Sequence, residues 1–197
     1  MKIGIFGGTF DPPHFGHLKL AESALEQLGL DEVIFLPANT NPFKQKTRTS
    51  PSKDRLQMTA ILVSNHPQFA VSDMEITRGG LSYTIDTIGE LQMVSPGEYW
   101  VILGADSLKG FENWKNPQRI LRAARLAVAV RPPINKDELL RTVPAEFHDR
   151  IDIISMEPME HSSTEIREKV SRNVKIDRLT SPEIVDYIKK NKLYQLK

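Results

Sequence analysis

Residues 2–17, KIGIFGGTFDPPHFGH, join a short apolar segment to a loop rich in glycine, proline and histidine. The segment from Lys2 to Phe6 has the composition of a strand that is buried on both faces of a parallel sheet. The eleven residues after Phe6 hold three glycines, two adjacent prolines and two histidines three positions apart. With a helical pattern beyond it, this stretch predicts the first strand–loop–helix unit of an α/β fold.

Strand and helix patterns alternate along the rest of the chain. Apolar residues recur at helical spacing around residues 18–28, 56–63 and 85–91. The predicted strands are Lys2–Phe6, Glu32–Leu36, Phe69–Ser72, Tyr99–Leu103, Leu126–Val130 and Ile151–Ser155. This alternation predicts a parallel sheet with right-handed crossovers, helices on both faces and a small helical part at the C-terminus. Ligands of such sheets bind beyond the carboxyl ends of the strands, where the strand order reverses.

Four local signals predict where helices begin and end. Gly29 is placed to end the first helix, and Ser50-Pro51 offers an N-cap followed by proline at the first helical position. The segments Ser162–Glu165 and Thr180–Glu183 both match the capping box, in which a hydroxyl and a carboxylate satisfy free amides.

Composition restricts the class of protein. The 197 residues contain no cysteine, so disulfides, thiolate metal sites and cysteine nucleophiles are excluded. The length predicts one domain over residues 1–197. A formal net charge of +1 favours small anionic ligands over nucleic acid. Because no segment has the pattern of a signal peptide or membrane span, we expect a cytoplasmic protein that does not bind membranes.

The loop after the first predicted strand indicates phosphate binding. Gly7 and Gly8 would let backbone amides approach a phosphate, and Gly16 would allow close packing where the helix begins. The pattern matches neither the P-loop nor the G-x-G-x-x-G dinucleotide loop. If the helix has begun, His14 and His17 share one face, where they could bind a metal, pack structurally, or donate to an oxyanion. The neighbouring glycines favour the donor interpretation.

The segment Gly7–His17 resembles the G-x-F-D-P-x-H-x-G-H signature of the nucleotidyltransferase superfamily. Three further segments look like motifs of the bacterial nicotinate mononucleotide adenylyltransferases, in the same order: Ser82–Thr87, Leu103–Ser107 with Trp114, and Ser162–Arg167. The resemblance implies a Rossmann-like sheet. It also implies transfer of the adenylyl group of ATP to nicotinate mononucleotide, with deamido-NAD and pyrophosphate as the products.

The resemblance also implies a role for each matching residue. It implies that His14, His17 and Lys44 are catalytic. Residues expected to bind ATP are Gly7, Gly8, Thr9, Phe10, Asp106, Arg131, Ser162, Ser163, Thr164 and Arg167. Residues expected to bind the acceptor are Ser82, Tyr83, Thr84 and Trp114, with Trp114 stacked on the pyridine ring. Mg²⁺ is expected to arrive with ATP and without a cage of protein ligands.

Three positions depart from the family pattern. Phe43 stands where a histidine is usual, Lys115 where an aromatic residue often follows the tryptophan, and His161 where isoleucine precedes the serines. Two alternatives stay open at this point. One is a sister adenylyltransferase that acts on nicotinamide mononucleotide or 4'-phosphopantetheine, and the other is a non-catalytic module that binds nucleotide or tRNA. The sequence also leaves a homo-oligomer open.

Overall fold

A six-stranded parallel sheet forms the centre of the protein in the computed structural model, which describes residues 1–45, 47–130, 139–141, 143–157 and 161–195. The strands are β1 Lys2–Gly8, β2 Glu32–Pro37, β3 Phe69–Val71, β4 Glu98–Gly104, β5 Arg125–Val130 and β6 Ile151–Ser155. Their spatial order is β3-β2-β1-β4-β5-β6. All the predicted strands are confirmed, with ends that shift by one or two residues.

Helices connect these strands. The α-helices are α1 Phe15–Leu28, α2 Ser52–Val63, α3 Met74–Arg78, α4 Thr84–Val94, α5 Ala105–Lys109, α6 Pro117–Ala123, α7 Ser163–Ser171 and α8 Pro182–Lys190. Two 3-10 segments span Phe111–Asn113 and Ala145–Arg150. Over the described ranges, no helix is long and apolar enough to cross a membrane.

Each face of the sheet has its own apolar core. Gly4 and Phe6 of β1 face α1, α2 and the C-terminal helices, while Ile3 and Ile5 face α4, α5 and α6. Successive residues of a strand point to opposite faces, so a sheet that is covered on both sides needs apolar residues at every position. The prediction of helices on both faces is therefore confirmed.

The sheet opens at the carboxyl end of β1. On one side, β1 stays paired with β2 from Ile3 to Gly8, opposite Pro37. On the other side, its pairing with β4 ends at Ile5, opposite Val101. Gly7 and Gly8 therefore belong to the strand and not to the loop, and beyond Ile5 the β1 edge that faces β4 is unpaired. This crevice lies where the strand order reverses, the position at which α/β sheets bind ligands.

Two of the predicted helix starts are wrong by one residue. Pro51 is the N-cap of α2 and not its first residue, and the backbone amide of Ser50 donates to Asp11 Oδ2 at 3.1 Å. In α8 the cap is Ser181, because the hydroxyl of Thr180 donates instead to the carbonyl of Pro13 at 3.0 Å. The other two signals are confirmed: Gly29 ends α1 with φ of 59°, and Ser162 Oγ accepts from the amide of Glu165.

A buried arginine ties together the chain segments that follow β1 and β2. Arg55 of α2 is 1% exposed and donates to three carbonyls: Ser50 at 3.1 Å, Thr9 at 2.8 Å and Asn39 at 3.1 Å. Burial lowers the pKa of Arg55, and nearby Asp11 opposes that shift. One side chain thus fixes the loop after β1, the segment after β2 and the entry to α2.

We expect Arg55→Met to destabilise the protein by about 3 kcal/mol, because three buried carbonyls lose a charged donor at once. Urea denaturation followed by circular dichroism measures this loss. Arg119→Met, at an exposed position of α6, is the matched control and should change the free energy of unfolding by less than about 0.5 kcal/mol. Equal effects of the two substitutions would contradict the structural role of Arg55.

Candidate active site

A cleft of about 920 Å³ lies at the carboxyl ends of β1 and β4. Its walls come from the ends of these strands, the segment after β2, the start of α4 and the segment around Trp114. The sequence-predicted residues that line it are Gly7, Gly8, Thr9, Phe10, His17, Lys44, Ser82, Tyr83, Thr84, Asp106 and Trp114. The fold thus brings segments that are distant in sequence into one cavity large enough for a nucleotide.

His14 and His17 cap helix α1 with their own rings. His14 is the N-cap, and its Nδ1 accepts from the amide of Gly16 at 3.1 Å. His17 is the third helical residue, and its Nδ1 accepts from the amide of His14 at 3.2 Å. The ring centroids are 3.8 Å apart. The two rings are therefore neighbours because of a reciprocal capping box, and not because both lie on one helical face.

This capping box fixes the tautomer of both rings. Each Nδ1 accepts a backbone N–H, so in the neutral ring the proton lies on Nε2. Burial lowers the pKa of His14 to about 4; nearby His161 adds to this shift and Glu165 opposes it. Burial also lowers the pKa of His17 well below 6.5, and His14 and Lys44 add to the effect. Both rings are thus neutral Nε2–H donors at pH 7.

The two rings differ in their access to the cleft. His17 is half-buried and lines the cleft, where its ring meets the edge of Phe10 at 5.0 Å between centroids. His14 is 6% exposed, and the described lining does not include it. His17 can therefore donate directly to a ligand in the cleft, while His14 supports the ring of His17 and the start of α1.

Close packing explains the small residues of this loop. A Cβ on Gly16 would lie 2.9 Å from His14 Nδ1, and one on Gly8 would lie 2.9 Å from the ring of Phe10. Phe10 has a positive φ of 49° and packs its ring into the core against Phe6. The prediction that Gly16 allows close packing at the helix start is confirmed. Gly7 has open space above it, so its backbone is accessible from the cleft.

Thr9 carries a polar atom without a partner. Its Oγ1 is buried and has no hydrogen-bond partner within the part of the chain that the structure describes. Thr9 lines the cleft, and its carbonyl is held by Arg55. A buried hydroxyl without a partner is costly, so this atom is suited to bind an oxygen of a ligand.

The opposite wall of the cleft is built by α4 and Trp114. The first amides of α4 have no intrahelical acceptors, and the N-cap Tyr83 makes no side-chain cap. Ser82 is fixed, since its amide donates to the carbonyl of Thr40 and its Oγ accepts from the amide of Asn39. The half-buried ring of Trp114 lies 5.3 Å from that of Phe111. This wall offers a flat ring beside free amides, which suits an aromatic anion.

Two charged residues lie at the rim. The side chain of Asp106 is fully exposed in the first turn of α5, 3.5 Å from Lys109 Nζ, while Gly104 is the N-cap. Lys44 lies in an exposed turn after β2 and is close enough to His17 to lower its pKa. Both residues line the cleft, and their exposed side chains can reach a ligand there. Arg131 lies outside the described residues.

The start of α7 supports the loop after β1. Ser163 Oγ donates to the carbonyl of Pro12 at 2.8 Å, and Arg167 Nη1 donates to the carbonyl of Asp11 at 2.8 Å. Arg167 Nη2 also donates to Thr164 Oγ1 at 3.2 Å. Ser162, Ser163, Thr164 and Arg167 are absent from the described lining of the cleft. The expectation that they bind ATP phosphates stays a prediction.

Sequence reasoning missed three buried or half-buried residues that shape this site. Asp11 Oδ1 accepts from the hydroxyl of Tyr194 at 2.6 Å, and Arg55 holds the carbonyl of Thr9. Burial and the adjacent Asp11 raise the pKa of Tyr194, so the hydroxyl stays protonated and donates. The contacts of Asp11 and Arg55 join residues 183 and 46 positions apart, so no local pattern could have revealed them.

The family model described as cytidylyltransferase-like matches residues 5–169 of this chain. That range includes the strand-order reversal, the glycine- and histidine-containing loop and the wall formed by α4 and Trp114. The chain therefore belongs to the cytidylyltransferase-like family, and the resemblance seen in the sequence is confirmed.

The names of two relatives indicate one group within this family. A protein from Dehalococcoides mccartyi (strain BAV1), named "Probable nicotinate-nucleotide adenylyltransferase", is 38% identical over 98% of this chain and 97% of its own length. A protein of the same name from Dictyoglomus thermophilum is also 38% identical, over 98% of this chain and its full length. At this identity, the chain is a member of the nicotinate-nucleotide adenylyltransferase group of the family.

Solved structures agree on the fold. The Plasmodium falciparum nicotinic acid mononucleotide adenylyltransferase complexed with NaAD has a TM-score of 0.81 and 19% identity over 98% of this chain and 97% of its own. A second complex of that protein, with APC, has a TM-score of 0.78. At such low identity the likeness shows the fold alone, and it confirms the Rossmann-like prediction.

We expect Gly16→Ala to reduce kcat of the adenylyltransferase reaction by about tenfold or more, because the new Cβ displaces the His14 ring that supports His17. Steady-state kinetics measure the effect. Gly89→Ala is the matched control, since Gly89 is an exposed residue within α4 and its added Cβ meets nothing within 4 Å. The control should keep full activity and gain up to about 1 kcal/mol of stability. Full activity of Gly16→Ala would contradict the packing argument.

Lowering the pH should destabilise the protein through the two capping histidines. Their folded pKa values lie below 6.5, so the unfolded chain binds more protons and stability falls as the pH drops below about 6.5. With a folded pKa of about 4, His14 alone accounts for a loss of about 2 kcal/mol between pH 7 and pH 5.

Urea denaturation at pH 7 and pH 5 measures this loss. In the double variant His14→Asn/His17→Asn, each side chain keeps a capping acceptor but cannot titrate. The variant should therefore lose less stability than the wild type over the same interval. Parallel losses would show that the histidines titrate normally and that the capping box is not maintained in solution.

Proposed function

We propose that this protein transfers the adenylyl group of ATP to the phosphate of nicotinate mononucleotide, forming deamido-NAD and pyrophosphate in NAD biosynthesis. The observation that carries the proposal is the composition of the cleft. One wall holds the neutral imidazole of His17, the hydroxyl of Thr9 and the accessible backbone of Gly7, beside Lys44. The other wall holds the first amides of α4 beside Trp114. The names of its relatives support this reaction.

The proposed reaction needs no general base. The acceptor is a phosphate monoester, which is largely ionised at neutral pH because its second pKa is about 6. One of its oxygens bonds to the α-phosphorus of ATP, the bond from that phosphorus to the bridging oxygen breaks, and pyrophosphate leaves with the electron pair. The enzyme has to align two anionic phosphates and stabilise the charge of the transferring group.

The residues at the end of β1, at the start of α1 and at the rim of the cleft have separate tasks in this reaction. The Nε2–H of His17 donates to the transferring phosphate, and His14 fixes the His17 ring and the start of α1. The accessible backbone at Gly7 and the hydroxyl of Thr9 bind phosphate oxygens. Lys44 neutralises the leaving charge, and Asp106 accepts from a ribose hydroxyl. Phe10 packs beneath Gly8, and the amides at the start of α7 bind the outer phosphates. A role of Arg131 in binding ATP stays a prediction.

The acceptor binds to the other wall in this proposal. The ring of Trp114 stacks on the pyridine ring, and the amides at Tyr83 and Thr84 donate to the pyridine carboxylate. Ser82, held by Asn39 and Thr40, fixes the position of that turn. The acceptor phosphate then points towards His17, across the opening between β1 and β4.

Magnesium fits this site as a partner of ATP. In the described parts of the chain, no three His, Cys, Asp or Glu side chains converge on a point that could hold a metal ion. Of the carboxylates in the lining, Glu75 already accepts from the hydroxyl of Thr87 at 2.6 Å. Mg²⁺ brought by ATP would supply positive charge at the phosphates, and no cage of protein side chains is expected to hold it. A homo-oligomer and a cytoplasmic location remain predictions.

The test is an assay of the purified protein with ATP, Mg²⁺ and nicotinate mononucleotide, in which pyrophosphate and dinucleotide are measured. We expect both products in equal amounts. His17→Asn should lower kcat by roughly 10², because it keeps the capping acceptor but removes the Nε2–H donor. A change confined to KM would contradict the role of His17 in the transition state.

Two comparisons complete this assay. 4'-Phosphopantetheine as acceptor tests the sister reaction, and turnover with it alone would replace the proposed acceptor. Binding of ATP without turnover of any acceptor would favour a non-catalytic nucleotide-binding module. The unfolding temperature of His17→Asn should stay within a few degrees of that of the wild type, which separates loss of catalysis from loss of fold.

A further inference from the structure

Lys115 occupies the wall of the cleft beside Trp114. Its Nζ lies 2.8 and 3.1 Å from the two carboxylate oxygens of Asp86, and 4.5 Å from the centroid of the Tyr83 ring. The side chains of Lys115 and Asp86 are 42% and 38% exposed. An ion pair thus crosses from the segment after Trp114 to the first turn of α4, next to the amides proposed to bind the acceptor.

The charge of Asp86 is balanced by this contact with Lys115. The charged side chains in the described lining are Lys44, Glu75, Asp106 and Lys115. Lys44 acts on His17 at the opposite wall, and Glu75 has Thr87 and Arg78 as its partners. Over the described ranges, Lys115 is the one cation that forms a salt bridge with Asp86. Without Lys115, the turn that begins α4 would hold an uncompensated negative charge.

The charge of Asp86 affects the binding of an acidic acceptor but not that of a neutral amide. Nicotinate mononucleotide carries a carboxylate on its pyridine ring, whereas nicotinamide mononucleotide carries a neutral amide there. Backbone amides can donate to both oxygens of the carboxylate but to only one oxygen of the carboxamide, so they already favour the acid, and a charge nearby changes the size of this preference. Without Lys115, the carboxylate of Asp86 would repel the carboxylate of the acid and would leave the neutral amide almost unaffected.

We propose that Lys115 strengthens the preference for an acidic pyridine acceptor over its amide by cancelling the charge of Asp86 beside this end of the cleft. Lys115 is therefore a specificity-determining residue. It acts by reducing the repulsion between Asp86 and a carboxylate that binds at the start of α4. The contact with the Tyr83 ring holds the ammonium in place between the two elements. This inference rests on the proposed function, because it concerns the choice between two acceptors of that reaction.

The experiment measures kcat/KM of the full chain for both acceptors, with ATP and Mg²⁺ saturating. In Lys115→Met we expect the acid-to-amide ratio to fall by roughly three- to tenfold, mainly through a higher KM for the acid. Lys115→Arg should keep the ratio within about twofold, since it preserves the charge. Lys115→Met/Asp86→Asn should regain most of the lost ratio, because the uncompensated carboxylate has been removed.

Lys2→Met is the matched control, because Lys2 lies over the ring of Trp100 at the amino end of the sheet and not in the cleft. It should leave the ratio unchanged. An unchanged ratio in active Lys115→Met, an equal loss with both acceptors, or no regain in the double variant would overturn the assignment. Turnover of neither acceptor by the wild type would instead contradict the proposed function itself, which distinguishes the two failures.

Discussion

The parting of β1 from β4 after Ile5 is the constraint on which the site depends. Up to Ile5 both neighbours of β1 satisfy its backbone, and beyond it only β2 does. The last three residues of this central strand, Phe6 to Gly8, therefore have one unpaired edge that lies inside a cleft and not on the outer edge of the sheet. A Cβ on Gly8 would clash with the ring of Phe10, whereas one on Gly7 would point into the open space of the cleft, so glycine at both positions leaves the backbone within reach of a ligand. The reversal of strand order creates the gap, and the glycines keep it open.

Helix α1, which follows this gap, is capped by the imidazoles of His14 and His17. The same two side chains therefore affect both the stability of the helix and the donors available to a ligand. Serine or aspartate would cap α1 equally well but would place no ring nitrogen at its start. With His14 and His17 as the caps, the backbone fixes each Nδ1 as an acceptor and leaves Nε2 as a donor. The low pKa values follow from the same burial that holds the rings, so a neutral donor is maintained at the cost of stability in acid.

The sequence predicted those elements whose signals are local. Each strand of the sheet is a short apolar run, and the longer helices α1, α2 and α4 follow the 3.6-residue period. Helices α3 and α6 have five and seven residues, too few for a period to be recognised. The convergence of Thr84, Trp114 and the loop after β1 could be expected because the carboxyl ends of parallel strands share one edge.

The rest could not be predicted, because its determinants are contacts between distant segments. The spacing of His14 and His17 predicts a shared helical face only if the helix has begun at His14, and only the backbone shows that His14 lies before the helix and accepts from within it. Thr180 and Ser181 are both good caps, and the choice between them is made by the carbonyl of Pro13, which takes the hydroxyl of Thr180. In the sequence, Arg55 cannot be distinguished from an exposed helical arginine, because its three carbonyl acceptors come together only in the fold.

The C-terminal segment shows how a motif can serve the site from outside the cleft. Ser163, Arg167, Thr180 and Tyr194 all bind the loop at Asp11 to Pro13, through three backbone carbonyls and one carboxylate. The loop between β1 and α1 positions Thr9 and the start of the helix that carries His17, and its own few residues do not suffice to fix it. The contacts from the C-terminal segment hold this loop in place. Binding of phosphate by the amides of α7 and support of the loop by its side chains are compatible, because they use different atoms of the same helix turn.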